Sequence, residues 1–144
     1  PKKYPFHSAL NSSAEEADFS FSGIKTAVVN LMHNAAQKGE TLSKADIAAS
    51  FQRAVCDTLT LKAVHAAKEH GFNTLALAGG VSANRALRSS LARACEEQGI
   101  RFCCPDFRYC TDNAAMIACA GHYALMAGEL SGLDLNAAPD LELV

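Results

Sequence analysis

Apolar residues recur every three or four positions in several stretches of the chain, which is the spacing of amphipathic α-helices. In the first stretch the apolar positions on one face are Ile24, Val28, Leu31 and Ala35. Ser20 or Ser22 is the expected N-cap of this helix, and Gly39 is its expected C-terminal stop. A second, longer helix should begin at Ser43 and end at Gly71, with small or apolar side chains on more than one face.

Two short apolar runs, residues 74–78 and 100–104, have the length and composition of buried strands. Helical spacing returns between them over residues 83–98, with Ser82 as the expected N-cap. Because strand, helix and strand follow each other within about thirty residues, the two strands should be parallel. The predicted fold class is therefore α/β, mostly helical, with a short parallel βαβ unit at about 73–104.

The two ends of the chain carry weaker patterns. Residues 1–19 lack periodicity and are expected to form an irregular lead-in, whereas a last helix is expected over about 112–127 with Thr111 or Asp112 as its cap. The first residues resemble an interior linker and include no starting Met, which favours a piece of a longer protein. No apolar run approaches the roughly 18 to 20 residues that cross a bilayer, so no membrane association is expected.

Composition limits the kinds of partner that the chain can bind and indicates the redox state of its cellular compartment. A formal net charge of -2 is not typical of a stand-alone nucleic-acid binder, so a local patch or another part of the protein would have to hold an RNA backbone. The six cysteines show no C-x-x-C spacing, and the adjacent Cys103 and Cys104 are poor candidates for a mutual disulfide. Free thiols in a reducing, cytoplasmic compartment are expected.

The most informative segment, LALAGGVSANR at residues 75–85, joins the first strand to the following helix. Gly79 and Gly80 would let backbone N–H groups approach a ligand closely, and the helix N-terminus favours an anion such as phosphate. Asn84 offers both a donor and an acceptor to a nucleotide. A simpler reading stays open, in which the glycines only form the turn and Ser82 only caps the helix.

Asp112 belongs to a second polar segment, CTDNAAM at residues 110–116. A carboxylate at the start of a helix can ligate a hard or borderline metal ion or act as a base. It can equally serve only as the helix cap. The sequence alone leaves these roles open.

Three arginines, Arg85, Arg88 and Arg93, give the helix after the glycine turn a basic side. Such a side is commonly a solvated face. Beside a phosphate-binding turn it could also steer an anionic partner.

Three segments together resemble the tRNA adenosine threonylcarbamoyltransferase family, called TsaD or Gcp in bacteria and formerly O-sialoglycoprotein endopeptidase. They are DFSFSGIKTAV at 18–28, LALAGGVSANRALR at 75–88 and CTDNAAMIA at 110–118. The resemblance implies an actin-like fold of the ASKHA class, in which two RNase-H-like lobes hold a nucleotide between them. Residues 1–144 would be the C-terminal lobe of such a protein.

The resemblance also implies a site. Gly79, Gly80 and Asn84 would bind the nucleotide, either threonylcarbamoyl-AMP or ATP/ADP, and Asp112 would ligate one iron or zinc ion. The family's other metal ligands are histidines of an H-x-x-x-H motif, which this chain lacks. The chain alone is therefore expected to be inactive and prone to self-association, and none of its residues is assigned a catalytic role.

The implied reaction transfers a threonylcarbamoyl group from threonylcarbamoyl-AMP to the adenosine beside the tRNA anticodon. Its partners would be tRNA and the accessory proteins of the same pathway. Two alternatives stay open, a small-metabolite kinase with an actin-like fold and a non-catalytic scaffold paralogue. An endopeptidase is disfavoured because neither a zincin motif nor Ser/His/Asp spacing is visible.

Overall fold

A computed structural model describes residues 3–6 and 18–137 of the chain. Most of the predicted lead-in and the last seven residues lie outside this described part. The helices and strands are α1 Ser22–Gln37, α2 Lys44–Glu69, β1 Thr74–Ala76, α3 Arg85–Glu97, β2 Arg101–Cys103 and α4 Ala114–Met126. The chain divides into two compact units, Pro1–Cys110 and Thr111–Val144. The prediction of a mostly helical α/β fold is confirmed.

The start of α1 differs from the prediction. Phe21 occupies the N-cap position and its side chain cannot cap, so the expected capping by Ser20 or Ser22 is wrong. The burial of Ile24 against the next helix, rather than a hydroxyl cap, determines where this helix begins. Its end is as predicted, because Gly39 adopts a φ of +67°, a left-handed conformation that stops a helix.

Both ends of α2 lie where the sequence predicts them. The Ser43 hydroxyl accepts a hydrogen bond from the Asp46 N–H at 3.2 Å, and Gly71 leaves the helix with a φ of +70°. The helix is buried on more than one face, as its composition indicates. Its buried residues include Lys62, which donates from Nζ to the Asp18 carbonyl at 2.6 Å.

The two strands pair in parallel, as expected of a βαβ unit, with Leu75 opposite Phe102. Both are shorter than predicted. The second begins only at Arg101 because the Ile100 N–H donates to the Cys95 carbonyl at 2.9 Å and so still belongs to the exit from α3. It ends before Pro105, which has no N–H to offer a sheet.

A compact apolar core joins α2, α3 and the exit from α3. Its buried members are Cys56, Val64, Ala67, Leu87, Leu91, Cys95 and Ile100. Each large aliphatic side chain buried in this way contributes about 1.5 to 3 kcal/mol. Burial also raises the pKa of the Cys56 thiol and of the Cys95 thiol, and all six cysteines are free. The core fixes α3, and with it the turn that leads into α3.

In the second unit α4 spans nearly the predicted range, and most of it is exposed. Its large exposed apolar residues are Met116, Ile117, Tyr123, Leu125 and Met126. Within the described part of the chain, no helix combines the length and the apolar character that a bilayer span requires.

Candidate functional site

The glycine turn lies directly after β1, at the carboxyl end of the parallel pair. Gly79 has a φ of +82°, a conformation that side chains rarely adopt, and a 3-10 turn, Gly80–Ala83, follows it. Gly80 has no such backbone requirement, and a Cβ built on it would meet nothing within 4 Å. The described chain therefore explains the glycine at position 79 but not the one at position 80.

The turn also presents unused backbone donors. Gly79, Gly80 and Val81 are exposed, and no hydrogen bond from their N–H groups to a described residue is recorded. Unpaired N–H groups that precede a helix carry partial positive charge and suit a phosphate oxygen. This part of the prediction, glycines between a strand end and a helix start, is confirmed.

Asn84, rather than Ser82, caps α3, so the sequence-based assignment of the cap is wrong. The Asn84 Oδ1 accepts from the Leu87 N–H at 3.1 Å, while Nδ2 donates to the Gln52 Oε1 at 3.4 Å. The physical reason is conformational, because the backbone is extended at Asn84 and Ser82 lies inside the 3-10 turn. Asn84 thus uses its acceptor for the helix cap. Its amide has two N–H donors, so one is left at the surface beside the bond to Gln52.

Ser82 is fully buried, and its hydroxyl has no hydrogen-bond partner among the described residues. Its carbonyl accepts a hydrogen bond from the Arg88 Nε. A buried hydroxyl without a partner costs about 1 to 3 kcal/mol. Ser82 therefore packs the inside of the turn and does not face an opening.

Arg88 is an internal brace, not a solvated or steering residue as the basic side of the helix suggested. Besides the Ser82 carbonyl, its guanidinium donates to the Pro105 carbonyl at 2.6 Å and to the Cys110 Sγ at 3.1 Å. Its Cζ lies 4.1 Å from the ring centroid of Phe107. One side chain thus connects the glycine turn to the segment that follows β2.

Asp112 lies in the second compact unit, and it does not cap α4. Asn113 does so, because its Oδ1 accepts from the Met116 N–H at 3.1 Å and its Nδ2 donates to the Thr111 carbonyl at 2.8 Å. The prediction of Thr111 or Asp112 as the cap is wrong, since the extended residue at the N-cap position is Asn113. Asp112 is exposed, and its carboxylate makes no recorded contact with a described residue.

Asp112 alone does not make a metal site. Over residues 3–6 and 18–137, no group of three or more His, Cys, Asp or Glu side chains converges. Iron and zinc sites in proteins usually draw on three or four convergent ligands. The exposed carboxylate has the donor chemistry of one such ligand, and the others would have to come from elsewhere.

Residues 2–119 match the sequence profile of the TsaD family, described as tRNA N6-adenosine threonylcarbamoyltransferase. The chain belongs to this family. The four predicted site residues, Gly79, Gly80, Asn84 and Asp112, all lie within the matched range.

Individual TsaD relatives agree with the profile. A tRNA N6-adenosine threonylcarbamoyltransferase of Caldicellulosiruptor saccharolyticus is 46% identical over 142 residues, which are 99% of this chain and 41% of the relative. One from Staphylococcus aureus strain RF122 is 47% identical over 126 residues, covering 88% of this chain and 37% of the relative. The chain thus spans about two fifths of the length of the curated relatives it matches.

Two features near the TsaD glycine turn are missing from the sequence-based prediction. The first is the brace formed by Arg88. Two of its acceptors are backbone carbonyls, which leave no trace in a motif. The second is the 3-10 turn Phe107–Tyr109, which places Phe107 beside Arg85 and Arg88. The alternation of Arg and aromatic residues at 107–109 was the available signal.

Proposed function

We propose that this chain is the C-terminal lobe of an actin-like enzyme that transfers a threonylcarbamoyl group from threonylcarbamoyl-AMP to the tRNA adenosine beside the anticodon. One observation carries the proposal. In a chain of the TsaD family, an open glycine turn with unused N–H groups lies at the carboxyl end of a parallel strand pair. That edge of an α/β sheet is where ligands commonly bind.

In this proposal the turn holds the phosphate of the adenylate. The N–H groups of Gly79 and Gly80 donate to phosphate oxygens, and the absent side chain at Gly80 lets the ligand approach the backbone. Asn84 adds its amide donor, since its acceptor already caps α3. ATP or ADP would use the same donors. Binding of this kind orients the reacting carbonyl without requiring a catalytic side chain from the turn.

Asp112 is proposed as one ligand of an iron or zinc ion. Its carboxylate fits this role because Asn113 performs the capping and leaves Asp112 exposed. A metal ion bound there would supply Lewis-acid polarisation of the carbamoyl oxygen. The remaining ligands would come from another part of the protein, so the 144-residue chain by itself is proposed to be inactive.

The proposed partners are tRNA and the accessory proteins of the same modification pathway. The six free thiols fit the reducing cytoplasm in which such a pathway would operate. The family match does not favour the two alternatives raised from the sequence, the small-metabolite kinase and the non-catalytic scaffold.

The test compares Asn84→Ser with Asn84→Ala in the full-length protein, supplied with tRNA, threonylcarbamoyl-AMP and the accessory proteins. Serine keeps the cap, so its free energy of unfolding should stay within about 0.5 kcal/mol of wild type, whereas alanine should lose about 1 kcal/mol. Both variants should bind the adenylate several-fold more weakly, because both lack the amide donor. Calorimetric titration measures adenylate affinity, and mass spectrometry of digested tRNA measures product.

Two outcomes would contradict parts of the proposal. A wild-type full-length protein that leaves tRNA unmodified but phosphorylates a small metabolite with ATP is a kinase. Normal adenylate affinity in Asn84→Ser would limit Asn84 to its role as the helix cap.

A further inference from the structure

We propose that an arginine–aromatic patch, made of Arg85, Phe107, Arg108 and Tyr109, is the surface of this chain that contacts the RNA substrate. The inference rests on the proposed function, in which that substrate is a tRNA. It adds the location of the contact and its chemistry, namely phosphates held by arginines and an unpaired base stacked on an aromatic ring. All four residues belong to the first compact unit.

Phe107 is the centre of the patch. It is a large apolar side chain, yet 51% of its surface is exposed. Its ring is supported by the Arg88 guanidinium, whose hydrogen bonds to the Pro105 carbonyl and the Cys110 Sγ fix its position. An exposed aromatic ring held in place is what stacking with an unpaired nucleobase requires.

Arg85 and Arg108 supply the positive charge. The Arg85 Cζ lies 5.6 Å from the Phe107 ring centroid, and no ion pair of Arg85 with a described residue is recorded. Arg108 lies over Tyr109, with its Cζ 4.6 Å from that ring centroid. Its contact with the Asp106 carboxylate spans 3.7 Å between side chains that are both more than 70% exposed. Exposed ion pairs of this kind are weak, so a phosphate can replace the carboxylate.

The position of the patch fits a substrate that must reach the glycine turn. Arg85 is the residue directly after Asn84, the cap of α3. The brace formed by Arg88 ties the Ser82 carbonyl in the turn to the Pro105 carbonyl ahead of Phe107, so turn and patch form one connected piece. The chain carries a net charge of -2, and a local concentration of arginines is how such a chain can hold an RNA backbone.

The same helix offers a matched control. Arg93 is also exposed and basic, but it lies two turns further along α3 and faces the Glu97 carboxylate at 3.9 Å. It is outside the patch and outside the proposed nucleotide site. Removing Arg93 changes the net charge of the protein by the same amount as removing Arg85 or Arg108.

The experiment measures tRNA affinity of the full-length protein at several salt concentrations for wild type, Arg85→Ala, Arg108→Ala and Arg93→Ala. Each patch variant should bind tRNA about tenfold more weakly, and the slope of log affinity against log salt should fall by about 1. Arg93→Ala should match wild type. Phe107→Leu should weaken binding about tenfold with an unchanged salt slope, because stacking rather than charge is lost. Adenylate affinity should stay at the wild-type value throughout.

Three results would overturn the inference, and they are distinguishable. If wild type modifies tRNA but Arg85→Ala and Arg108→Ala behave like Arg93→Ala, the patch is not the RNA contact and the proposed function stands. If the patch variants keep tRNA affinity but no longer assemble with accessory proteins, the patch is a protein-docking surface. If wild type neither binds nor modifies tRNA, the proposed function fails together with the patch. Circular dichroism of each variant verifies that it is folded.

Discussion

Gly79 and Gly80 are neighbours in the turn, but different constraints act on them. Gly79→Ala would force a side chain into a φ of +82° and should lower the free energy of unfolding by about 1 kcal/mol or more. Gly80→Ala places its methyl group in open space at an ordinary φ, so stability should be unchanged or rise by about 0.4 to 1 kcal/mol. Only Gly80→Ala can therefore test ligand binding without also destabilising the fold.

The binding result decides the role of Gly80. If a phosphate lies against its backbone, Gly80→Ala should weaken adenylate binding by about tenfold or more while the protein stays fully folded. Calorimetric titration of the full-length variants measures this. Undiminished adenylate affinity in stable Gly80→Ala would leave the turn with a purely structural role.

Asp112 and its neighbour Asn113 should respond in opposite ways to substitution. Asp112→Ala should leave the free energy of unfolding within about 0.5 kcal/mol of wild type, because Asn113 provides the cap, but metal content should fall. Asn113→Ala should cost about 1 kcal/mol. Elemental analysis of the full-length variants gives the metal content. Full metal content in Asp112→Ala would exclude Asp112 as a ligand.

At the scale of elements, helix stops were predictable and helix caps were not. Gly39 and Gly71 end their helices as expected, because each is the single glycine after a long periodic stretch. The caps of α3 and α4 each lie in a polar run that offers two or three candidates one or two residues apart. Which one caps depends on where the backbone becomes extended, and that is decided by packing, which the sequence pattern does not specify.

The position of the glycine turn was predictable, whereas the side-chain contacts around it were not. The glycine turn follows from a strand signal, two glycines and a helix signal, and it lies where the sequence places it. The role of Arg88 was misread because a basic residue on a helix normally faces solvent. Two of its acceptors, the carbonyls of Ser82 and Pro105, are backbone groups that every residue has, so they give no sequence pattern to detect.

Arg88→Ala tests the connection between these two segments. The two carbonyls lose a charged donor, so we expect the free energy of unfolding to fall by about 2 to 3 kcal/mol. Amide hydrogen exchange should accelerate selectively in residues 79–84 and 104–110. Arg88→Lys should recover only part of the loss, because one ammonium group cannot reproduce the planar fork of donors. Unaltered exchange in both segments would show that Arg88 does not connect them.

At the scale of the whole molecule, the first compact unit leaves a large apolar surface open. A groove of about 730 Å³ runs between α2 and β1, and its large apolar lining residues include Phe51, Val55, Leu59, Phe72, Leu75 and Val81. The described sheet has only two strands, so each strand has an unpaired edge. Exposed apolar patches and open sheet edges favour association with another chain.

The 144-residue chain on its own should therefore form a dimer or larger species. Multi-angle light scattering at micromolar concentration should give a mass of at least twice 15.2 kDa. The full-length protein of the proposed function is the control, since residues beyond this chain are proposed to cover part of this surface. A stable monomer of the isolated chain would mean that the groove and the strand edges tolerate exposure to solvent without a second chain to cover them.

The proposed function depends most on one contact, in which the glycine turn holds the phosphate of an adenylate. The most direct measurement is a crystal structure of the full-length protein with threonylcarbamoyl-AMP or a stable analogue bound. We predict phosphate oxygens at roughly 3 Å from the backbone nitrogens of Gly79 and Gly80, which is hydrogen-bonding distance. An adenylate bound elsewhere, with both N–H groups still unpaired, would contradict the proposed function.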